Sequence, residues 1–290
     1  MTTLAVIGAG VIGLSWARLA REHDWDVTIY DPRDVIVDVV AAELGHDSRI
    51  RVTFDIATAV ADADLVQENG PERLPIKQDL FRQIVTHARP DAVLATSSSS
   101  LTATAIAQGL SDASRVLVGH PFNPPDLMPL VEVVPGSATD DDITKRAVEL
   151  YEGLGRMPVV IHREMPGFVA NRLQLALFRE ALYLVQQGVV TPGDLDVILR
   201  NSLGLRWATT GLFEGNVLGG GPGGIRHLYS GDGAQLSTLE LGSPATDPEQ
   251  VEKVVTLVEQ TYGSGTEAFH RLRDKRDTRT RAVLAALNRS

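Results

Sequence analysis

Leu4-Ala5-Val6-Ile7-Gly8-Ala9-Gly10-Val11-Ile12-Gly13 opens the chain with four apolar residues and then three glycines spaced G-x-G-x-x-G. The apolar run reads as a buried strand, and the residues after Gly13 have helical periodicity, so the glycines form a strand-to-helix turn. In that context each glycine has a task. Gly8 permits the tight turn, Gly10 lets a pyrophosphate approach the backbone, and Gly13 lets the helix pack against the sheet. The amides of Val11 and Ile12 at the helix start attract phosphate charge. Asp31 ends the next apolar run, Val27 to Tyr30, at the place where a carboxylate accepts from ribose hydroxyls and repels a 2′-phosphate. These positions imply NAD as cofactor. Arg33 nearby pulls toward NADP, and the acid is taken to dominate.

Working outward, short β-rich runs alternate with amphipathic stretches as far as His162, the pattern of βαβ units around a parallel sheet. Strands are expected at Leu4–Ile7, Val27–Tyr30, Arg51–Phe54, Leu65–Val66, Ala92–Ala95, Arg115–Val118, Leu130–Val134 and Val159–Ile161. Pro166-Gly167 breaks the chain, and from Phe168 onward helical periodicity replaces the β signal. The fold class expected is α/β, a Rossmann-type doubly wound sheet over residues 1–164 followed by an all-α domain over residues 165–290. In the second part a helix is predicted from Phe168 to Gln187, stopped by Gly188. Another starts after Thr191, and Val251, Val254, Val255 and Val258 mark a third. Gly219 to Gly224 reads as a flexible loop, and Asp274 to Arg289 as a solvated or partner-facing helix.

Composition narrows the function classes. The 290 residues carry 27 basic and 37 acidic side chains, a formal charge of −10, which opposes binding to nucleic acid or an anionic membrane surface. There is no cysteine, which removes disulfides, thiolate metal sites and a cysteine nucleophile. No histidine or acidic cluster has a metal-binding spacing. No apolar run approaches the roughly 20 residues of a membrane span, and the first strand leaves no room for a signal peptide, so a cytoplasmic protein is expected.

The chemistry is expected at the carboxyl edge of the sheet. Val116-Leu117-Val118 runs into Gly119-His120-Pro121-Phe122-Asn123, placing His120 at that edge, where an imidazole suits removal of a hydroxyl proton. Twelve residues later Glu132 is an acid within Leu130-Val131-Glu132-Val133-Val134, and its charge needs a partner. His120 is the candidate, with the carboxylate orienting the ring and stabilising the imidazolium. Taken alone His120 reads as an ordinary loop histidine, as do the other six. Asn171 interrupts the apolar stripe of Phe168, Leu175, Phe178 and Leu182 and also needs a partner.

With these motifs in place the chain resembles the 3-hydroxyacyl-CoA dehydrogenase superfamily over nearly its whole length. The glycine turn with Asp31, Glu68-Asn69, Thr96-Ser97-Ser98-Ser99-Ser100-Leu101, the His120 to Glu132 segment and Pro166-Gly167-Phe168-Val169-Ala170-Asn171-Arg172 occur in its order. The resemblance implies a His120–Glu132 catalytic pair assisted by Ser99 and Asn171. It places Asn123 with Ser99 and Asn171 against the substrate, and Glu68, Lys77 and Ser97 among the cofactor-binding residues. It also implies a homodimer formed through the C-terminal domain. Ser15-Trp16-Ala17 and Gly204-Leu205-Arg206-Trp207-Ala208 are similar to the branch of λ-crystallin, L-gulonate 3-dehydrogenase and carnitine dehydrogenase, whose substrates are free acids. Arg206 is suited to clamp a carboxylate. Val217 departs from that branch, where gulonate and carnitine members carry a histidine or basic residue. A small-molecule hydroxy acid is therefore expected as substrate. The alternatives are a CoA thioester or a non-catalytic crystallin-like or NAD-sensing protein.

Overall fold

Alternate residues of the first strand serve opposite faces of one sheet: Leu4 and Val6 enter one apolar cluster, Ala5 and Ile7 another. The computed structural model describes residues 2–230 and 239–287. Its sheet contains β1 (Thr3–Ile7), β2 (Asp26–Tyr30), β3 (Ile50–Thr53), β4 (Leu65–Glu68), β5 (Val93–Thr96), β6 (Val116–Pro121), β7 (Leu130–Pro135) and β8 (Met157–Val160). The spatial order is β3-β2-β1-β4-β5-β6-β7-β8. Helices α1 (Val11–Glu22), α2 (Ile36–Leu44) and α6 (Asp141–Gly153) cover one face, through Trp16, Leu19, Val40 and Tyr151. Helices α3 (Ile56–Val60), α4 (Leu74–His87) and α5 (Ala103–Ile106) cover the other, through Val60, Phe81, Ile84 and Ile106. The sheet is doubly wound, and strand order reverses between β1 and β4.

One pairing departs from the all-parallel expectation. The segment between β6 and β7 contains no helix, so the chain returns antiparallel and sets His120 opposite Glu132 in register. Helix α6 then supplies a crossover, and β8 lies parallel to β7.

The two compact units divide between Arg172 and Leu173, later than the Glu164 boundary expected from the sequence. Phe168 explains the delay. Its ring is buried with Ala103, Val118 and Val134, which ties the segment after Pro166-Gly167 to the sheet. Phe168 itself has φ +49 and precedes the helix, which begins at Ala170 rather than Phe168.

The second unit is helical. Helix α7 (Ala170–Gln186) ends before Gly188, and α8 (Pro192–Asn201) is capped by Thr191, whose hydroxyl accepts from the Asp194 amide. Next come α9 (Leu203–Thr209), α10 (Leu212–Gly219), α11 (Gly224–Ser230), α12 (Pro248–Tyr262) and α13 (Gly265–Leu287). The glycines expected to form a flexible loop instead make a 3₁₀ turn, Gly221–Gly223, between α10 and α11. The expected terminal helix is present from Gly265, and Asn288 and Arg289 lie outside the described residues. Of the stripe assigned to α7, Phe168 is buried, whereas Leu175 and Phe178 are both more than half exposed among the described residues.

Candidate active site

At the point where strand order reverses, the β1 turn and the β4 loop touch. Gly8 has φ +96, and a Cβ there would lie 3.1 Å from the backbone of Asn69 and Gly70. A Cβ on Gly13 would stand 2.0 Å from the Gly8 carbonyl oxygen, so α1 packs at a distance that only glycine permits. Gly10 is different, because nothing lies within 4 Å of where its Cβ would be. That open approach, together with the uncommitted first amides of α1, fits a pyrophosphate. Asp31 is buried beside the turn and accepts from the Ala9 amide at 2.9 Å. Burial raises its pKa, but the Arg33 guanidinium and the Ala9 and Arg33 amides outweigh that and hold it below the usual range. The cradle thus fits a dinucleotide.

The second centre is built around β6. His120 is buried, and its Nδ1 lies 2.8 Å from Glu132 Oε2. A carboxylate only accepts, so Nδ1–H donates, and in the neutral imidazole that tautomer leaves the lone pair on Nε2. Ser99 Oγ is 3.1 Å from that nitrogen, within hydrogen-bond distance, and donates to it in that tautomer. Glu132 Oε1 accepts from the Val169 and Ala170 amides, both at 3.0 Å, at the N-terminus of α7, where negative charge is favoured. Burial works against ionisation of Glu132. The bonds from His120, Ala170 and Val169 prevail and keep its pKa lowered. Phe122 and Phe168 flank the imidazole with ring centroids at 5.7 and 5.4 Å. Asn171 Nδ2 is 3.5 Å from the Ser99 carbonyl oxygen, a long contact, and Asn123 is exposed beyond the end of β6.

Residues 45–165 match the family model described as 3-hydroxyacyl-CoA dehydrogenase, NAD binding domain, and residues 167–257 match its C-terminal domain model. The chain belongs to the 3-hydroxyacyl-CoA dehydrogenase family. It is an NAD-dependent dehydrogenase acting on a CH–OH group. An L-carnitine dehydrogenase of Pseudomonas aeruginosa is 37% identical over 98% of this chain and 94% of its own length. A 3-hydroxyacyl-CoA dehydrogenase of Gibberella moniliformis is 42% identical over 76% of this chain and 73% of its own. Among solved structures, FHMPC 5-dehydrogenase, an NAD+ dependent dismutase, superposes with TM-score 0.84 at 28% identity, covering 99% of both chains.

Within this dehydrogenase three positions expected at the cofactor have internal partners. Lys77 and Glu68 form a buried ion pair, with Nζ 2.8 and 3.0 Å from the two carboxylate oxygens. Glu68 also accepts from the Gly70 amide and the Thr96 hydroxyl, so the pair joins the loop after β4 to the end of β5. The Ser97 hydroxyl accepts from Gln67 Nε2 at 2.7 Å and Trp16 Nε1 at 3.2 Å and donates to Asn69 Oδ1 at 2.7 Å. Its bonding capacity is filled. These three side chains shape the loops rather than offer free polar atoms.

The sequence reading missed Glu72. Its Oε1 accepts from the Ser98 and Ser100 hydroxyls and from the amides of Ser99 and Ser100, all between 2.6 and 3.1 Å. Burial raises its pKa, while the Ser98 and Ser100 hydroxyls, the Lys77 charge and the Ser100 amide outweigh that and lower it. Glu72 therefore ties down the serine loop that presents Ser99 to His120. Two acids four residues apart flanked one short loop, and spacing did not say which one faced the serines. Arg206 lies in the second unit on α9, is exposed, and has no side-chain partner among the described residues.

Proposed function

We propose that the protein oxidises the 3-hydroxyl of a small free 3-hydroxy acid to the 3-oxo acid, with His120 as general base. The observation that carries this reading is the orientation of the ring: Glu132 takes Nδ1–H, and Nε2 is left as the acceptor. The glycine turn and Asp31 would hold NAD, which would supply the hydride acceptor for the carbon that bears the hydroxyl. His120 Nε2 takes the hydroxyl proton. The imidazolium formed is stabilised by Glu132, which the Val169 and Ala170 amides prevent from turning away. Ser99, Asn123 and Asn171 hold the substrate beside His120, and Arg206 is the arginine whose chemistry suits a substrate carboxylate.

The carnitine dehydrogenase likeness over 98% of the chain and the unpartnered Arg206 favour a free acid. A second reading, a CoA thioester substrate, is favoured by the relative at 42% identity. NADH formation followed by absorbance with matched panels of free 3-hydroxy acids and their CoA thioesters decides between them. Turnover of free acids is expected, and turnover confined to thioesters overturns the reading.

The protein works as a cytoplasmic homodimer joined through the second unit, without nucleic acid. Of that unit's described residues only Val185, Pro192, Gly220 and Ala268 are buried, while Leu205, Phe213 and Leu218 are more than 60% exposed. So little burial does not sustain an isolated helical domain, and a second copy supplies the missing core. No helix among the described residues is long and apolar enough to cross a membrane.

A further inference from the structure

Arg33 has no part in the reaction derived above, yet it dominates the surroundings of Asp31. Asp31 Oδ1 accepts from the Arg33 amide at 3.1 Å and Arg33 Nε at 2.7 Å. Its Oδ2 accepts from the Ala9 amide at 2.9 Å and Arg33 Nη2 at 2.7 Å. A carboxylate has about four lone-pair positions, and here four donors fill them. The same Nη2 donates to the Ala9 carbonyl oxygen at 3.0 Å, so the guanidinium spans from the end of β2 to the glycine turn. Asp31 is buried, whereas the Arg33 side chain is 51% exposed.

We propose that Arg33 is a displaceable stopper on Asp31 that sets the selectivity between NAD and NADP. Ribose hydroxyls can donate to Asp31 only when the guanidinium fork withdraws. The two backbone bonds remain after withdrawal, so the carboxylate keeps its position. Binding of NAD therefore carries the cost of breaking a half-exposed ion pair, which is modest. A 2′-phosphate meets a carboxylate already neutralised by a cation that can turn and pair with it. Arg33 thus weakens NAD and shelters NADP, narrowing the discrimination that Asp31 alone would impose. The specificity-determining unit is the pair.

The inference rests on Asp31 being the ribose acceptor. The test is nicotinamide fluorescence titration of NADH and NADPH on the full chain as wild type, Arg33→Met, Arg33→Lys and Asp31→Asn. Arg33→Met is expected to bind NADH about threefold or more tighter. It should bind NADPH more weakly, widening the ratio of dissociation constants by about tenfold. Arg33→Lys, which keeps the charge but loses the planar fork, should tighten NADH while retaining NADPH. An unchanged ratio in Arg33→Met, or equal weakening of both dinucleotides, overturns the stopper. If Asp31→Asn leaves the wild-type ratio intact, the ribose assignment fails and the stopper with it.

Discussion

His120 and Glu132 stand directly opposite each other across β6 and β7, so twelve residues of chain close to 2.8 Å between Nδ1 and Oε2. On the proposed mechanism the two side chains act as one unit. His120→Gln should lower turnover about a hundredfold or more, and Glu132→Gln should lower it by less, since the base remains. The double variant should be little worse than His120→Gln alone. Full multiplication of the two losses, measured on variants that still bind NADH, would show that the pair does not cooperate.

The lowered pKa of Glu132 has a thermodynamic consequence with a definite sign. A carboxyl held below its usual value near 4.5 in the folded state contributes stability above that pH. The contribution drains away as pH falls through the lowered value. Urea unfolding midpoints of wild type and Glu132→Gln should therefore differ most at neutral pH and converge in acid. A gap that stays constant as pH drops would contradict the assignment.

Arg206→Met keeps an unbranched apolar stem but not the charged fork. A carboxylate clamp contributes roughly 1.5 to 3 kcal/mol, so kcat/KM for a free acid should fall about ten- to a hundredfold. Wild-type kinetics on that acid would remove Arg206 from the substrate site.

Phe178→Glu places a charge on the exposed face of α7. Sedimentation velocity should show the wild type as a dimer and the variant shifted toward monomer, with a lower melting temperature. A variant that sediments unchanged would direct the interface to another face.

Much of the fold was legible because its signals are local. The glycine turn, the eight apolar runs and the Thr191 cap each occupy a few neighbouring residues, and each formed the expected element. What escaped depends on distant partners. The antiparallel return of β7 followed from a connection too short and irregular for a crossover helix, and only that return fixes the His120–Glu132 register. Lys77 and Glu68 turned inward because each satisfies the other, a relation that nine residues of separation do not reveal. Asn171 was expected on a buried stripe, but Leu175 and Phe178 further along the same helix are exposed among the described residues.

Beneath the site, Tyr151 donates to Gln67 Oε1 at 2.7 Å, and Gln67 Nε2 donates to the Gly119 carbonyl oxygen at 3.1 Å. Tyr151→Phe leaves the Gln67 oxygen without that donor in a buried place, a cost of roughly 1 to 3 kcal/mol. Chemical denaturation should register the loss, and equal stability would mean that the network relaxes.

A Cβ added to Gly119 would fall 1.8 Å from the Tyr151 hydroxyl oxygen. Tyr151 therefore holds the position before His120 to glycine, although the two residues are far apart along the chain. The sizes allowed at the two positions are therefore coupled. A lineage that replaces the tyrosine with a smaller residue frees the glycine to drift, and one that enlarges the glycine first pays with misplacement of His120. Substitution should thus be ordered in time, tyrosine before glycine, and reconstructed intermediates of the reverse order should be missing from the family's history.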